Sequence, residues 1–208
     1  MNAAAIRLGV SMRETEDELT RDVLAAGATV INATQGGNGD TPTEISELDV
    51  SDVTSRLRNQ NARTISDNIL GEDRYGTYPV RDAFFSLSHS RMIKDLNAME
   101  GFTNKAAYGN ANMGLPSEEG TYGNVRFLVS SNGYSETEAS LSDATVYSNF
   151  IVGQEAYAVV QQDGYTSSFL YGKPQPPLFM NATVGWKMAY AARVTSDQFM
   201  ANLKCTLS

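Results

Sequence analysis

A single cysteine and a single histidine narrow the chemistry open to this chain. Cys205 has no second thiol to pair with, so no internal disulfide forms. A zinc site of the Cys/His type uses about four ligands, and the chain offers two. A Cys–His nucleophile pair would require Cys205 and His89 to meet, since no other histidine exists. Cys205 sits close to Leu203 and Leu207, which favours a small packed side chain over a reactive thiol. Long apolar runs are also missing. No window approaches eighteen apolar residues, so no membrane-spanning helix is expected. The apolar start, Met1 to Leu8, is short and gives way to Arg13, Glu14 and Glu16, unlike a signal peptide. The expected setting is a reducing cytoplasm. Positive charge is scarce: 16 Lys and Arg stand against 24 Asp and Glu, a net of −8. That excludes a protein coating nucleic acid by general phosphate neutralisation, though not a local basic face.

What is present describes a folded chain. Of its 208 residues, 41% are hydrophobic and 19% charged, against wholesale disorder. The length suits one domain, or one core with a subdomain, without disulfide or metal support. The charge is uneven. Residues 1–49 carry Arg7, Arg13 and Arg21 against nine acids, a net of −6, and residues 50–208 a net of only −2. Residues 164–208 hold Lys173, Lys187, Arg193 and Lys204 against Asp197 alone. Two differently solvated faces explain this. So would charge complementarity between copies, or a basic end turned toward a polyanion.

Leu8, Met12, Thr15, Leu19, Val23, Ala26, Val30 and Ala33 recur by threes and fours, predicting one long helix over residues 3–33. Thr15 and Glu18 match a capping box, which leaves a later start near Thr15 open. Such a helix would measure roughly 45 Å, a strut more than one wall of a bundle. Gln35–Asp40 reads as a turn or helix stop. It lacks the Lys-Ser/Thr tail and the strand-turn-helix setting of a phosphate loop. A second helix is expected after Asp49 as cap, with Val50, Val53 and Leu57 inside, ending at 59–61. Tyr78 to His89 reads as an extended approach and a buried strand. Ser90 then caps a short helix with Met92 or Ile93, Leu96 and Met99 inward. Glycine-rich residues 105–124 read as a mobile loop. Strands are expected at 125–131 and 146–152, with a packed element at 157–160 and an exposed acidic excursion at 132–145. Residues 165–171 are β-rich, prolines interrupt 174–177, and two closing strands follow at 183–194 and 198–206. The order is α+β.

No catalytic constellation emerges. His89 lies at a strand-to-helix junction, where a turn or cap hydrogen bond explains it better than catalysis. Glu118 and Glu119 are adjacent, so their side chains point apart, and a solvated loop is the favoured reading. The sequons at Asn32 and Asn181 carry no meaning without a secretory signal. No catalytic, cofactor or metal residue is assigned. A strut helix, Gly-rich loops and one-sided charge suit a protein that contacts copies of itself.

Several stretches, in order along the chain, resemble one family. They are Glu18-Leu-Thr-Arg-Asp-Val-Leu-Ala-Ala-Gly-Ala-Thr-Val30, Gly76-Thr-Tyr-Pro-Val-Arg-Asp82 through Ser88-His89, Leu115-Pro-Ser-Glu-Glu-Gly-Thr-Tyr-Gly-Asn-Val-Arg-Phe127, Val152-Gly-Gln-Glu-Ala-Tyr157 and Ala182-Thr-Val-Gly-Trp-Lys187. The chain resembles the C-terminal part of a tailed-phage major capsid protein of the N-four-like podovirus type. The resemblance implies an α+β Hong Kong 97-like coat fold, with a long spine helix, a peripheral-domain sheet and an axial domain with a mixed sheet. Residues 1–45 would be the spine helix and the start of the peripheral domain, 46–171 mostly the axial domain, and 172–208 strands returning to the core. The 105–124 loop and the 132–145 excursion would lie in the axial domain. Such proteins carry an N-terminal arm and an extended hairpin ahead of the spine. With the spine starting near residue 3, both are expected to be missing here, and no cross-linking lysine is carried over.

The implied function is that of a structural subunit, not an enzyme. It would form pentamers and hexamers of an icosahedral phage or prophage capsid. The implied partners are copies of itself, scaffolding, portal and decoration proteins, and packaged DNA through weak non-specific contact, with no membrane and no cofactor. The implied location is the virion, after synthesis in the bacterial host cytoplasm. An encapsulin-like compartment shell shares the fold and stays open, as does an enzyme of unknown type.

Overall fold

The computed structural model describes residues 2–65, 82–108, 114–115, 117–138, 141, 143–161, 168–173 and 182–208. Tyr78 to Arg81, the prolines at 174–177 and Asn181 lie outside them.

The chain opens with α1 (Asn2–Gly27), 26 residues and about 39 Å long. Thr15 is internal to it; its hydroxyl donates to the Ser11 carbonyl at 2.9 Å, so the later start is not used. The helix stops six residues before the predicted end. Thr29–Asn32 forms β1, which pairs in parallel with β12 (Met200–Cys205). Val30 therefore belongs to a strand and Ala33 lies just past its end, although their spacing continues a helical stripe. Pairing with the C-terminal strand, some 170 residues away, overrides the local period.

The main sheet has eight strands in the order β1-β12-β7-β2-β5-β4-β3, with β6 paired to β7 off that path. Its members are β2 (Phe84–His89), β3 (Thr103–Asn104), β4 (Glu118–Tyr122), β5 (Val125–Ser130), β6 (Ser135–Glu138) and β7 (Ala144–Val152). The β1–β12 and β2–β5 pairs are parallel, and the others antiparallel. The sheet is thus mixed. Two predicted loops contain strands: β4 lies inside 105–124 and β6 inside 132–145. Their polar sequences carry little apolar alternation, and they become strands by pairing with β5 and β7.

Both sheet faces are covered. On one, α2 (Glu47–Asn59) sets Val50, Val53 and Leu57 against Ile31, Phe84, Phe127, Ile151 and Leu203. Ser90–Met92, a short 3-10 turn, and α3 (Ile93–Ala98) add Met92 and Leu96, with Met99 just beyond. Of the two inward candidates, Met92 is the buried one. On the other face, Leu24 of α1 packs with Phe150, Val152, Ala156 and Met200. Full burial of a side chain such as Leu24 contributes about 1.5–3 kcal/mol. Covered on both faces, β7 is buried almost throughout, Ser148 and Asn149 included.

Two antiparallel pairs stand apart from the sheet: β8 (Tyr157–Gln161) with β11 (Tyr190–Val194), and β9 (Ser168–Gly172) with β10 (Thr183–Lys187). The predicted strand over 183–194 is therefore two. The segment at 157–160 is not packed as expected, since Val159 and Val160 are 43% and 65% exposed.

Candidate functional site

The residues with chemical potential are absorbed into structure. His89 Nδ1 accepts from the Arg91 N–H at 3.0 Å and so caps the turn after β2. Burial, then the nearby Arg91 charge, holds its pKa below the ordinary value. Cys205 is fully buried in the core, where burial pushes the thiol up to about 12. A thiol in that state is a weak nucleophile.

The Gly-rich loop follows a strand, not a helix, and precedes α2. Gln35 and Gly36 take positive φ values of 60° and 99°, which bend the chain back on α2. The anion in that bend is internal. Asp49 Oδ1 accepts from the Thr34 and Gly36 N–H groups at 3.0 and 2.7 Å. Asp49 is the third helical residue of α2 and not its cap. Ser46 is the cap, and the two form a reciprocal capping box.

Glu118 and Glu119 do point apart, but Glu118 is buried rather than solvated. Its carboxylate accepts from Arg126 Nε and Nη2 at 2.8 and 2.7 Å, from Tyr108 Oη at 2.7 Å and from the Leu115 N–H at 2.6 Å. This cluster ties residues 108 and 115 to β4 and β5. Burial, chiefly, pushes the Tyr108 hydroxyl up to about 12. Glu119, on the other face, accepts from Asn97 and Asn104. Among the described residues, no group of three or more metal-ligating side chains gathers. No helix there is long and apolar enough to cross a membrane.

The feature that stands out is α1 with the two strand pairs lying along it. Four helix positions mark the contact. A side chain at Gly27 would meet Val194, and one at Gly9 would touch Phe169. Thr20 bonds the Tyr190 hydroxyl, and Glu16 accepts from Gln161. Positions 9, 16, 20 and 27 fall on one helix face and span about 27 Å. The β8–β11 and β9–β10 pairs thus form a ribbon running lengthwise beside α1. Leu24, on an adjoining face, reaches the main sheet. The predicted apolar stripe is rotated from both contacts, and its Leu19 is 45% exposed.

Exposed apolar side chains concentrate on this unit. Ile6 and Val10 of α1 are 67% and 51% exposed, and Phe169, Leu170 and Tyr171 of β9 about half exposed. Between α1, the ribbon and the main sheet runs a groove of about 530 Å³, where the Arg21 guanidinium lies over the Tyr134 ring. An extended helix–ribbon unit with open apolar surface is suited to contact with another macromolecule. The sequence signalled the helix and the β character of 165–171 and 183–194, but not that these strands pair into a ribbon along α1.

No family model and no curated protein matches the sequence. Solved structures do match the fold. The head structure of Helicobacter pylori bacteriophage KHP40 aligns with a TM-score of 0.61 at 10% identity, covering 100% of this chain and 68% of that one. A chain of Mycobacterium phage Che8 aligns at 0.60 and 12% identity, covering 98% of this chain and 62% of that one. The capsid of Ralstonia phage GP4 aligns at 0.57 and 14% identity, covering 88% and 53% respectively. The fold is that of phage head chains. This chain therefore spans about three fifths of the length of the Che8 chain and about half of the GP4 capsid chain.

Proposed function

We propose that the chain is a structural subunit of an icosahedral phage or prophage capsid, of the Hong Kong 97-like type, and not an enzyme. The observation that carries this reading is the alignment of nearly the whole chain, strut helix, ribbon and mixed sheet together, with a phage head structure. The exposed apolar side chains along α1 and the ribbon support it, because a shell subunit must bury such surface against neighbours. In this reading α1 is the spine, the ribbon belongs with it in a peripheral unit, and the main sheet with its covering helices forms the axial part. Copies assemble into pentamers and hexamers around DNA, in the virion. With a net charge of −8, contact with the packaged DNA is weak and non-specific. The N-four-like affinity suggested by the sequence stretches is part of the same proposal.

Electron microscopy of the chain, alone and co-expressed with its neighbouring head genes, tests it. Closed shells or ring-shaped capsomers are the expected particles. A chain that stays monomeric in every condition refutes the proposal.

A further inference from the structure

The helix–ribbon unit has two oppositely charged outer sides. On α1, Glu14 and Glu18 are exposed at four-residue spacing, Asp22 follows one turn on and is paired with Arg21 at 2.9 Å, and the exposed Arg7 lies on the same side, which leaves it net acidic. They lie on the side of the helix facing away from positions 9, 16, 20 and 27, which meet the ribbon. Leu19 and Ala26 are exposed beside them. On β11, Tyr190 and Val194 face α1, through Thr20 and Gly27. Strand alternation therefore puts Ala191 and Arg193 on the outer face, together with Val160, the register partner of Ala191. On β9, Phe169 faces Gly9, so Leu170 and the residues in its row point outward, with Lys187 on the paired strand. Arg193 and Lys187 are exposed, Val160 is 65% exposed and Leu170 is 49% exposed.

We propose that the occupant of this outer ribbon face is a second copy of the chain, presenting the acidic side of its α1. The proposal rests on the shell reading and names one of its contacts. Three observations select this partner. The charges are opposite in sign on opposite sides of one two-layer unit, so copies stack front to back. Each side also offers apolar surface next to its charges, Leu19 and Ala26 against Val160 and Leu170. The same charges oppose the alternatives, since front-to-front contact sets acid against acid and back-to-back contact sets base against base. The contact is therefore heterologous. Such an interface closes into a ring if its rotation permits and otherwise grows open chains, whereas a two-fold dimer is excluded. A nucleic acid is the less favoured occupant, because the apolar side chains among so few basic ones do nothing for a phosphate backbone.

The test is a charge exchange in the full 208-residue chain, read by sedimentation velocity at low and at high salt. The ribbon variant carries Val160→Glu with Arg193→Glu. The helix variant carries Glu14→Lys with Glu18→Lys. All four sites are exposed, and circular dichroism checks that each variant is folded. Wild type is expected to self-associate, more tightly at low salt. Each two-site variant should weaken association by roughly tenfold or more, and the four-site exchange should restore it to within a few-fold of wild type. Association indifferent to either variant, or a four-site exchange no better than its halves, overturns this contact while leaving the shell reading standing. Wild type that binds a short DNA duplex through Arg193, with self-association unaffected by either variant, overturns it in favour of a polyanion. Absence of any shell or capsomer by microscopy is the separate result that removes the shell reading itself.

Discussion

Replacing Arg126 with Met strips the counter-ion from a carboxylate that has almost no contact with water. The side chains of Arg126 and Glu118 are 5% and 0% exposed, and among the described residues two of the four hydrogen bonds to the Glu118 carboxylate come from the guanidinium. Water cannot replace them without opening β4 from β5. The Tyr108 hydroxyl and the Leu115 N–H remain, but neither carries charge. Loss of one partner from a buried pair costs about 3–5 kcal/mol. In urea, a chain of this size loses about 2–3 kcal/mol of stability per molar, so the unfolding midpoint should fall by about 1–2.5 M. Adding Glu118→Gln removes the stranded charge. The double variant should therefore be less destabilised than the sum of the two single variants, with a coupling of at least about 1 kcal/mol. A midpoint shift under about 0.4 M for Arg126→Met, or strict additivity in the cycle, would refute the argument that this pair holds β4 and the preceding segment to the sheet.

Three further outcomes follow from the packing. Asp49→Ala removes half of the α2 capping box and the acceptor for the Thr34 and Gly36 N–H groups. A loss of at least about 2 kcal/mol is expected by chemical denaturation, against about 1 kcal/mol for an ordinary cap. Gly27→Ala would gain about 1 kcal/mol of helix propensity in isolation. Here its Cβ would lie 2.5 Å from Val194 Cγ2, so the chain should instead lose stability, with Val194→Ala in the same chain restoring it. Cys205 should resist thiol reagents in the native state and react at the rate of unfolding. Its thiol is held neutral by burial, with a folded pKa of about 12 against 9.0. That contribution is fully present below about pH 9 and is lost as pH rises toward 12, so Cys205→Ala should flatten the alkaline fall in stability in that window.

The sequence alone determined the elements whose signals are local. Helix periodicity produced most of α1, and Val50, Val53 and Leu57 marked the buried face of α2. Apolar runs located β2, β5 and β7, and the position of His89 between strand and helix announced its capping role. The paucity of cysteine and histidine narrowed the chemistry without any structure. Tertiary structure decided what depends on distant partners. β1 is a strand because β12 lies beside it, and the polar segments 118–122 and 135–138 are strands because β5 and β7 offer them edges. Glu118 reads as solvated in a Glu-Glu pair, and only the fold brings Arg126 and Tyr108 to it. The face of α1 that meets the ribbon is set by strands more than 130 residues away, so the apolar stripe runs through Leu19, whereas Leu24 is the buried leucine. For the same reason the acidic first 49 residues and the basic end of the chain could be counted from residues alone. That they form opposite sides of one helix–ribbon unit follows only from the packing, because side-chain direction is set by register and contact, not by composition.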